Sequence, residues 1–549
     1  MSRKLLAILL TVVCIFSLVV TSGAKVHIVE EDVPFYGDLD GNKLSDDLDD
    51  ALAKTKPGEK ISVIVVLDRA PQDEVLHDLS LGAAELKGRW EHAIQGFAVE
   101  MTPGRIRAMA RHPFIQRIDL ERTYHALGLG SATTWTGVQA ARSTYAVCGD
   151  RDGNRLTYSR NDVVIAILDT GIHAGHVDLD GGKVIGWFDA INGRTTAYDD
   201  QGHGTHVAGI AAGTGEGNNV DIGVAPGAAL VGIKVLNQHG SGTTTQIING
   251  VNWMINNRTT FNIRIGNMSL GSSGSSDGTD SLSQAVNNAV NNGITMVVAA
   301  GNSGPAVRTI GSPAAAANAI TVGALHAPGD RGWALAAFSS RGPTADNRIK
   351  PNITAPGANI NAPSHTSSTG YVSQSGTSMA APFIAGVIGL MLDANNSLTD
   401  SGIKNILYAP GNLRDFGPSG MDNDFGSGTT LPFNAIRQAG GFTSGSFSDN
   451  LSIGFGSGTL SGTGATQNHT FSVTATTAPI AITFIHSNWS TSVDFDIRLL
   501  NPSGTVVASS TGTNRQETIR FQPSVTGTYT LRVNSHAGSG GYWFNVSRR

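Results

Sequence analysis

The chain of 549 residues is 40% apolar, 15% charged and 6% aromatic, which supplies several packed cores and excludes a disordered polyelectrolyte. Its 38 basic and 43 acidic residues leave a formal charge of −5, so no basic footprint points to nucleic acid as a partner. The 68 glycines are spread along the chain and indicate tight turns and close backbone approaches, not a low-complexity tail.

The first feature in chain order is Arg3-Lys4, an apolar run over residues 5–20, and the small tripeptide Ser22-Gly23-Ala24. This is the pattern of a secretory leader removed after residue 24. Its loss would take Cys14 with it and leave Cys148 as the one thiol, so the exported chain is expected to carry no internal disulfide and no membrane span. Residues 25–58 are acidic. Within them Asp38, Asp40, Asn42, Asp46 and Asp49 occupy positions one, three, five, nine and twelve of a candidate calcium loop. Lys43 stands where such loops carry glycine, and a solvated acidic turn fits the same residues. Asp150-Arg151-Asp152-Gly153-Asn154 is a second, shorter instance.

Residues 61–67 and 94–99 read as strands by their β-branched content, with a helix between them over residues 74–90. Thr102-Pro103 opens a second helix, and residues 114–120 read as a further strand. From 163 to 439 apolar runs alternate with helical segments, which predicts a parallel sheet with crossover helices. Beyond Gly440 the composition turns to Gly, Ser and Thr, followed by short alternating strands such as 495–500 and 529–533, the pattern of an all-β module.

Three segments carry chemistry. Residues 163–171 form an apolar strand with Asp169 at its C-terminal tip, where ligands gather in open α/β sheets. Gly202-His203-Gly204-Thr205-His206 places an imidazole at a glycine-flanked entry to a helix, and Gly376-Thr377-Ser378-Met379-Ala380-Ala381-Pro382 places a hydroxyl at another. Singly, each is an ordinary cap or turn. In the order Asp, His, Ser they form one of the chain orders of the acyl-transfer triad, for which subtilisin is the standard example.

On these residues the chain resembles the subtilisin-like serine proteases over residues 134–438. The resemblance makes Asp169 the orienting acid, His203 the base, Ser378 the nucleophile and His206 a packing residue. Residues 296–304, a buried strand ending in Ala299-Ala300-Gly301-Asn302-Ser303-Gly304, resemble the family's oxyanion segment, with Asn302 as a donor. Ser269, Leu270 and Gly271 resemble the strand that pairs with substrate backbone, while Ala300, Gly301 and Gly311 resemble the walls and floor of the specificity pocket. No acid lies in these segments, which implies broad or apolar selectivity. Asp178 matches a family calcium ligand.

Residues 59–127 resemble the family's inhibitor-type propeptide, and residues 451–549 its C-terminal pre-peptidase-type β-sandwich, joined by a linker over 441–450 to a catalytic domain spanning 128–440. The implied fold is α/β, a doubly wound, mostly parallel sheet, preceded by a small α+β propeptide and followed by an all-β sandwich. The implied function is that of a secreted, self-processing, monomeric serine endopeptidase acting on protein and peptide substrates. Its own propeptide would serve as an intramolecular inhibitor; calcium would be structural, with no cofactor needed for the chemistry. A catalytically dead adhesion protein on the same fold is the alternative from another class, and an esterase using the same triad a lesser one.

Overall fold

The computed structural model describes residues 42–44, 48–49, 51–52, 55–81, 86–90, 95–120, 129–154, 157–330, 332–487 and 489–549. They fall into two compact units, Met1–His125 and Ala126–Arg549. The leader, Asp38, Asp40, Asp46 and residues 121–128 lie outside the described residues.

In the first unit, four antiparallel strands run in the order Leu86–Trp90, Gly96–Met101, Ile61–Leu67, Ile115–Leu120. The helix Pro103–Met109 begins on its proline, whose missing N–H costs nothing there, and Ile106 joins Val63, Val65, Phe97 and Val99 in the core. The expected helix over residues 74–90 is corrected: among the described residues of this range Asp73–Asp78 is helical, and Leu86–Trp90 is a strand. The helix closes where Ser80 takes φ 57° and the Leu81 N–H returns to the Leu76 carbonyl at 2.9 Å. Leu86 then pairs with Val99, with a register shift before Gly88, so cross-strand pairing overrides the helical spacing.

The second unit is built on a large sheet whose central strands are all parallel: Ile353–Pro356, Ile320–His326, Thr295–Ala299, Ile263–Met268, Val164–Asp169, Ala229–Lys234 and Val184–Asp189 in spatial order. Val164–Asp169 is buried throughout, and its residues alternate between two cores. Ile165 and Ile167 pack with the helix Thr377–Ala394, while Val164, Ala166 and Leu168 pack with the helices Thr244–Phe261 and Ser281–Asn291. A strand covered on both faces is what a continuous apolar run signals. Strand order reverses about Val164–Asp169, so the loops after Asp169 and Met268 diverge and open a crevice between them. Thr377–Ala394 is long and apolar enough to cross a membrane, but it is buried almost throughout as the core helix.

The C-terminal strands form two four-stranded antiparallel sheets around Ile482, Phe484, Phe495, Leu531 and Phe544. The segment before them is anchored: Phe442 stacks on Tyr145 with centroids 4.3 Å apart, and Asp449 pairs with Arg414 and accepts from Trp333 Nε1.

Candidate active site

Asp169 is fully buried at the tip of its strand. Its Oδ1 lies 2.8 Å from His203 Nδ1 and accepts from the Thr170 N–H at 2.7 Å. His203 is the first residue of the helix His203–Ala212, and the following Gly204 lets that helix dock. A Cβ at 204 would stand 2.1 Å from the Gly171 carbonyl and 3.1 Å from Asp169 Cβ. The turn before the helix is tied by Asp199, which accepts from the N–H groups of Gln201, Gly202 and Thr205 and from the Thr205 hydroxyl. Burial pulls the His203 pKa down, but the Asp169 charge and hydrogen bond, together with the Asp199 charge, outweigh it and hold the imidazole above its ordinary value. His206 is fully buried and donates from Nε2 to the carbonyls of Ile360 and Val372; burial takes its pKa down to about 4.

Ser378 is the second residue of its helix, so its own N–H has no helical acceptor. Pro382, four residues on, has no N–H to give the Ser378 carbonyl. The Ser269 hydroxyl fills that vacancy at 2.9 Å, and the Ser378 hydroxyl donates to the Ser269 carbonyl at 3.2 Å. Ser269 Oγ is itself held by Asn267 Nδ2 at 3.0 Å. The nucleophile candidate is thus pinned by the strand end that the sequence marks for substrate pairing.

Asn302 follows the strand Thr295–Ala299. Its Oδ1 accepts from the N–H and hydroxyl of Thr377 at 2.9 and 3.1 Å, which fixes the amide and leaves Nδ2 as its outward donor. A Cβ at Gly376 would stand 3.3 Å from that Nδ2, so glycine keeps the space before it open.

A cleft of about 1170 Å³ is lined by His203, Ser378, Asn302, Ser269, Leu270 and Gly271 among others. Ala300, Gly301 and Gly311 do not line it directly. Ala300 is buried, Gly301 turns at φ 105° against Ser340, and Gly311 backs on the Ser272 carbonyl. The cleft also carries Asp280, which sequence reading missed because an acid before a helix reads as an ordinary cap and its third partner, Ser312, is 32 residues away. Its carboxylate caps the helix Ser281–Asn291 through the Ser283 N–H and accepts from the hydroxyls of Ser276, Ser283 and Ser312. Burial opposes ionisation, but these donors outweigh it and hold the pKa down to about 2.

The metal candidates divide. Asn42 Nδ2 donates to Asp49 Oδ2 at 2.7 Å, so these two members of the first loop meet each other. Asp178 holds two donors, the Gly217 N–H at 3.0 Å and the Tyr371 hydroxyl at 2.8 Å, and no cluster of three acids, histidines or cysteines includes it among the described residues. In the second loop, Asp150 and Asp152 converge with Asp162, each offering an oxygen within 4.8 Å of the others. Cys148 is half-buried and forms no disulfide among the described residues.

A model of the Subtilase family matches residues 160–428, and one of the Bacterial pre-peptidase C-terminal domain matches residues 465–535. Serine protease AprX of Bacillus subtilis (strain 168) is 39% identical over 347 residues, 59% of this chain and 75% of that protein. Subtilisin DY of Bacillus licheniformis is 40% identical over 254 residues, 46% of this chain and 84% of that protein. Among solved structures, Sphericase aligns over 56% of this chain and 99% of its own at 32% identity, with a TM-score of 0.45. The chain belongs to the subtilase family and is a serine endopeptidase, with a C-terminal pre-peptidase-type β-sandwich appended to its α/β catalytic domain.

Proposed function

We propose that Asp169, His203 and Ser378 hydrolyse peptide bonds as orienting acid, general base and nucleophile, with Asn302 Nδ2 and the Ser378 N–H receiving the oxyanion. The observation that carries this reading is the 2.8 Å contact of Asp169 with His203 in the same cleft as Ser378 and Asn302. Ser378 Oγ leaves the Ser269 carbonyl and passes its proton to His203 Nε2 as it bonds to the scissile carbon. The carbonyl electrons move onto oxygen, facing two donors already aimed and needing no reorganisation. His203 then protonates the departing amine, and water repeats the sequence on the acyl-enzyme, while Asp169 stabilises the imidazolium at each stage. A fluorophosphonate probe should label the enzyme at Ser378 and leave Ser378→Ala unlabelled; labelling of the variant would sink the assignment.

Ser269, Leu270 and Gly271 would pair with substrate main chain, with Ala300, Gly301 and Gly311 shaping the pocket for the residue before the scissile bond. On the cleft wall the Asp280 carboxylate is already held by four internal donors, so it is no open acceptor for a basic side chain. The chain would be exported by its leader and held inactive by residues 59–127. It would cut itself after Leu127, an apolar occupant followed by unhindered Gly128. N-terminal sequencing of the mature enzyme checks this, and a start directly after Arg122 would contradict the apolar pocket. Calcium would act as a structural ion, with Asp150, Asp152 and Asp162 the set of described residues that fits it and no part in the chemistry. Excess chelator should then lower the melting temperature, through loss of binding to the folded state. An unchanged melt removes the ion.

A further inference from the structure

The loop that carries Asn302 is held from behind by the β-sandwich. Arg515, immediately before the sandwich strand Gln516–Phe521, donates from Nη1 to the carbonyl of Pro305 at 3.3 Å, three residues beyond Asn302. The same guanidinium grips Asp424 of the α/β part in a two-pronged pair, Nη1 to Oδ1 at 2.6 Å and Nη2 to Oδ2 at 2.9 Å. Gln516 continues the contact: its Oε1 accepts from Arg341 Nη2 at 2.6 Å and its Nε2 donates to the Leu335 carbonyl at 2.7 Å. Arg341 is fully buried, and its main chain exchanges hydrogen bonds with Thr309 while the preceding Ser340 bonds to Gly301 and Ser303. The rear of residues 301–309 is therefore held by Arg515 at Pro305, by Ser340 at Gly301 and Ser303, and by Arg341 at Thr309.

We infer that Arg515 is a positioning residue for the hydrolytic reaction: anchored on Asp424 and acting through the Pro305 carbonyl, it steadies the loop that carries Asn302, so the sandwich is a working part of the active enzyme. The sandwich is retained on this reading, because its removal would take the two-pronged Arg515 pair from the buried Asp424 and leave it only the longer 3.7 Å contact with Arg341 Nη1. The inference rests on the oxyanion role proposed for Asn302, which the test isolates.

In the full chain, with active sites counted by fluorophosphonate titration, Asn302→Ala should lower kcat by ~10²–10³. Arg515→Ala should lower kcat by roughly tenfold with KM for a peptide substrate little changed, since displacement of a remote support costs transition-state contacts first. In the Asn302→Ala background, Arg515→Ala should then have almost no further effect on kcat, because the amide carried by that loop is gone. Arg515→Lys keeps a charge against Asp424 but cannot also reach Pro305 with a fork, so it should fold and still lose most of that kcat factor. It serves if the alanine variant does not fold. Effects of Asn302 and Arg515 that multiply in full, or an unchanged kcat per titrated site in Arg515→Lys, would overturn the inference. Unchanged kcat in Asn302→Ala would overturn the oxyanion role and the inference together.

Discussion

The front and the rear of the loop at residues 301–305 are built on opposite principles. Toward the cleft, groups keep spare valence: Asn302 shows a donor, Ser378 an N–H without a helical acceptor, and Asp169 a buried Oδ2 that accepts from no neighbour. Toward the sandwich, Arg515, Asp424, Gln516 and Ser340 are bonded to one another, to Arg341 or to main chain, although Nε and Nη1 of the buried Arg341 make no hydrogen bond. A buried polar atom without a partner costs about 1–3 kcal/mol. Such atoms persist where the surroundings leave them no other conformation. The denser bonding behind supports the aimed, partner-free groups in front.

The largest break in that contrast is the loss of the nucleophile. Ser378→Ala should lower kcat by ~10⁶ and leave the proprotein uncut, read by intact mass after expression. Asp169→Asn should come next, at ~10⁴, because the imidazole loses both its tautomer partner and the charge that stabilises its protonated form. Binding of a peptide inhibitor should survive in each. A loss of binding equal to the loss of kcat would mean that the cleft had collapsed, and that these residues support structure more than chemistry.

A smaller effect tests how the front is pinned. Ser269→Ala strips the acceptor from Asn267 Nδ2 and the donor from the Ser378 carbonyl, both in buried surroundings. Stability to denaturant should fall by about 1–3 kcal/mol. Pro382→Ala restores a helical N–H that reaches the same carbonyl, so the serine substitution should cost less in that background, with a coupling of about 1 kcal/mol. Strict additivity in the four-way cycle would show that the Ser269 bond does not replace the missing helical one.

What the sequence made legible divides along the same line. Asp169, His203 and Ser378 could be singled out because each sits in a short segment whose local demands, a strand tip and two glycine-flanked helix entries, are written in neighbouring residues. The parallel sheet was legible because strands buried on both faces are continuous apolar runs. The helix expected over residues 74–90 failed because Leu86–Trp90 answers to a partner strand, which local spacing cannot reveal. Arg515 and Pro305 are 210 positions apart, Asp280 and Ser312 are 32, and Asp178 and Tyr371 are 193. A surface arginine, a capping acid and a core tyrosine are the ordinary readings of such residues, and only the fold supplies their partners.

The finest distinction between front and rear concerns the base itself. Its pKa is the outcome of a contest: burial favours neutral imidazole, and two carboxylates favour the charged form and prevail. Activity requires the neutral form, so the acid limb of kcat/KM in the free enzyme should lie above the ordinary histidine value of about 6.5. Asp169 contributes by contact, so its removal destroys activity along with the shift. Asp199 contributes only through its charge and touches the turn, not the ring. Asp199→Asn keeps an oxygen for part of that turn while removing the charge. Its acid limb should move toward lower pH, and the alkaline plateau should change far less than the activity at pH 6. A limb that stays in place would mean that Asp199 is screened from His203 and that Asp169 alone outweighs burial. A limb that moves to higher pH would contradict the sign of the interaction.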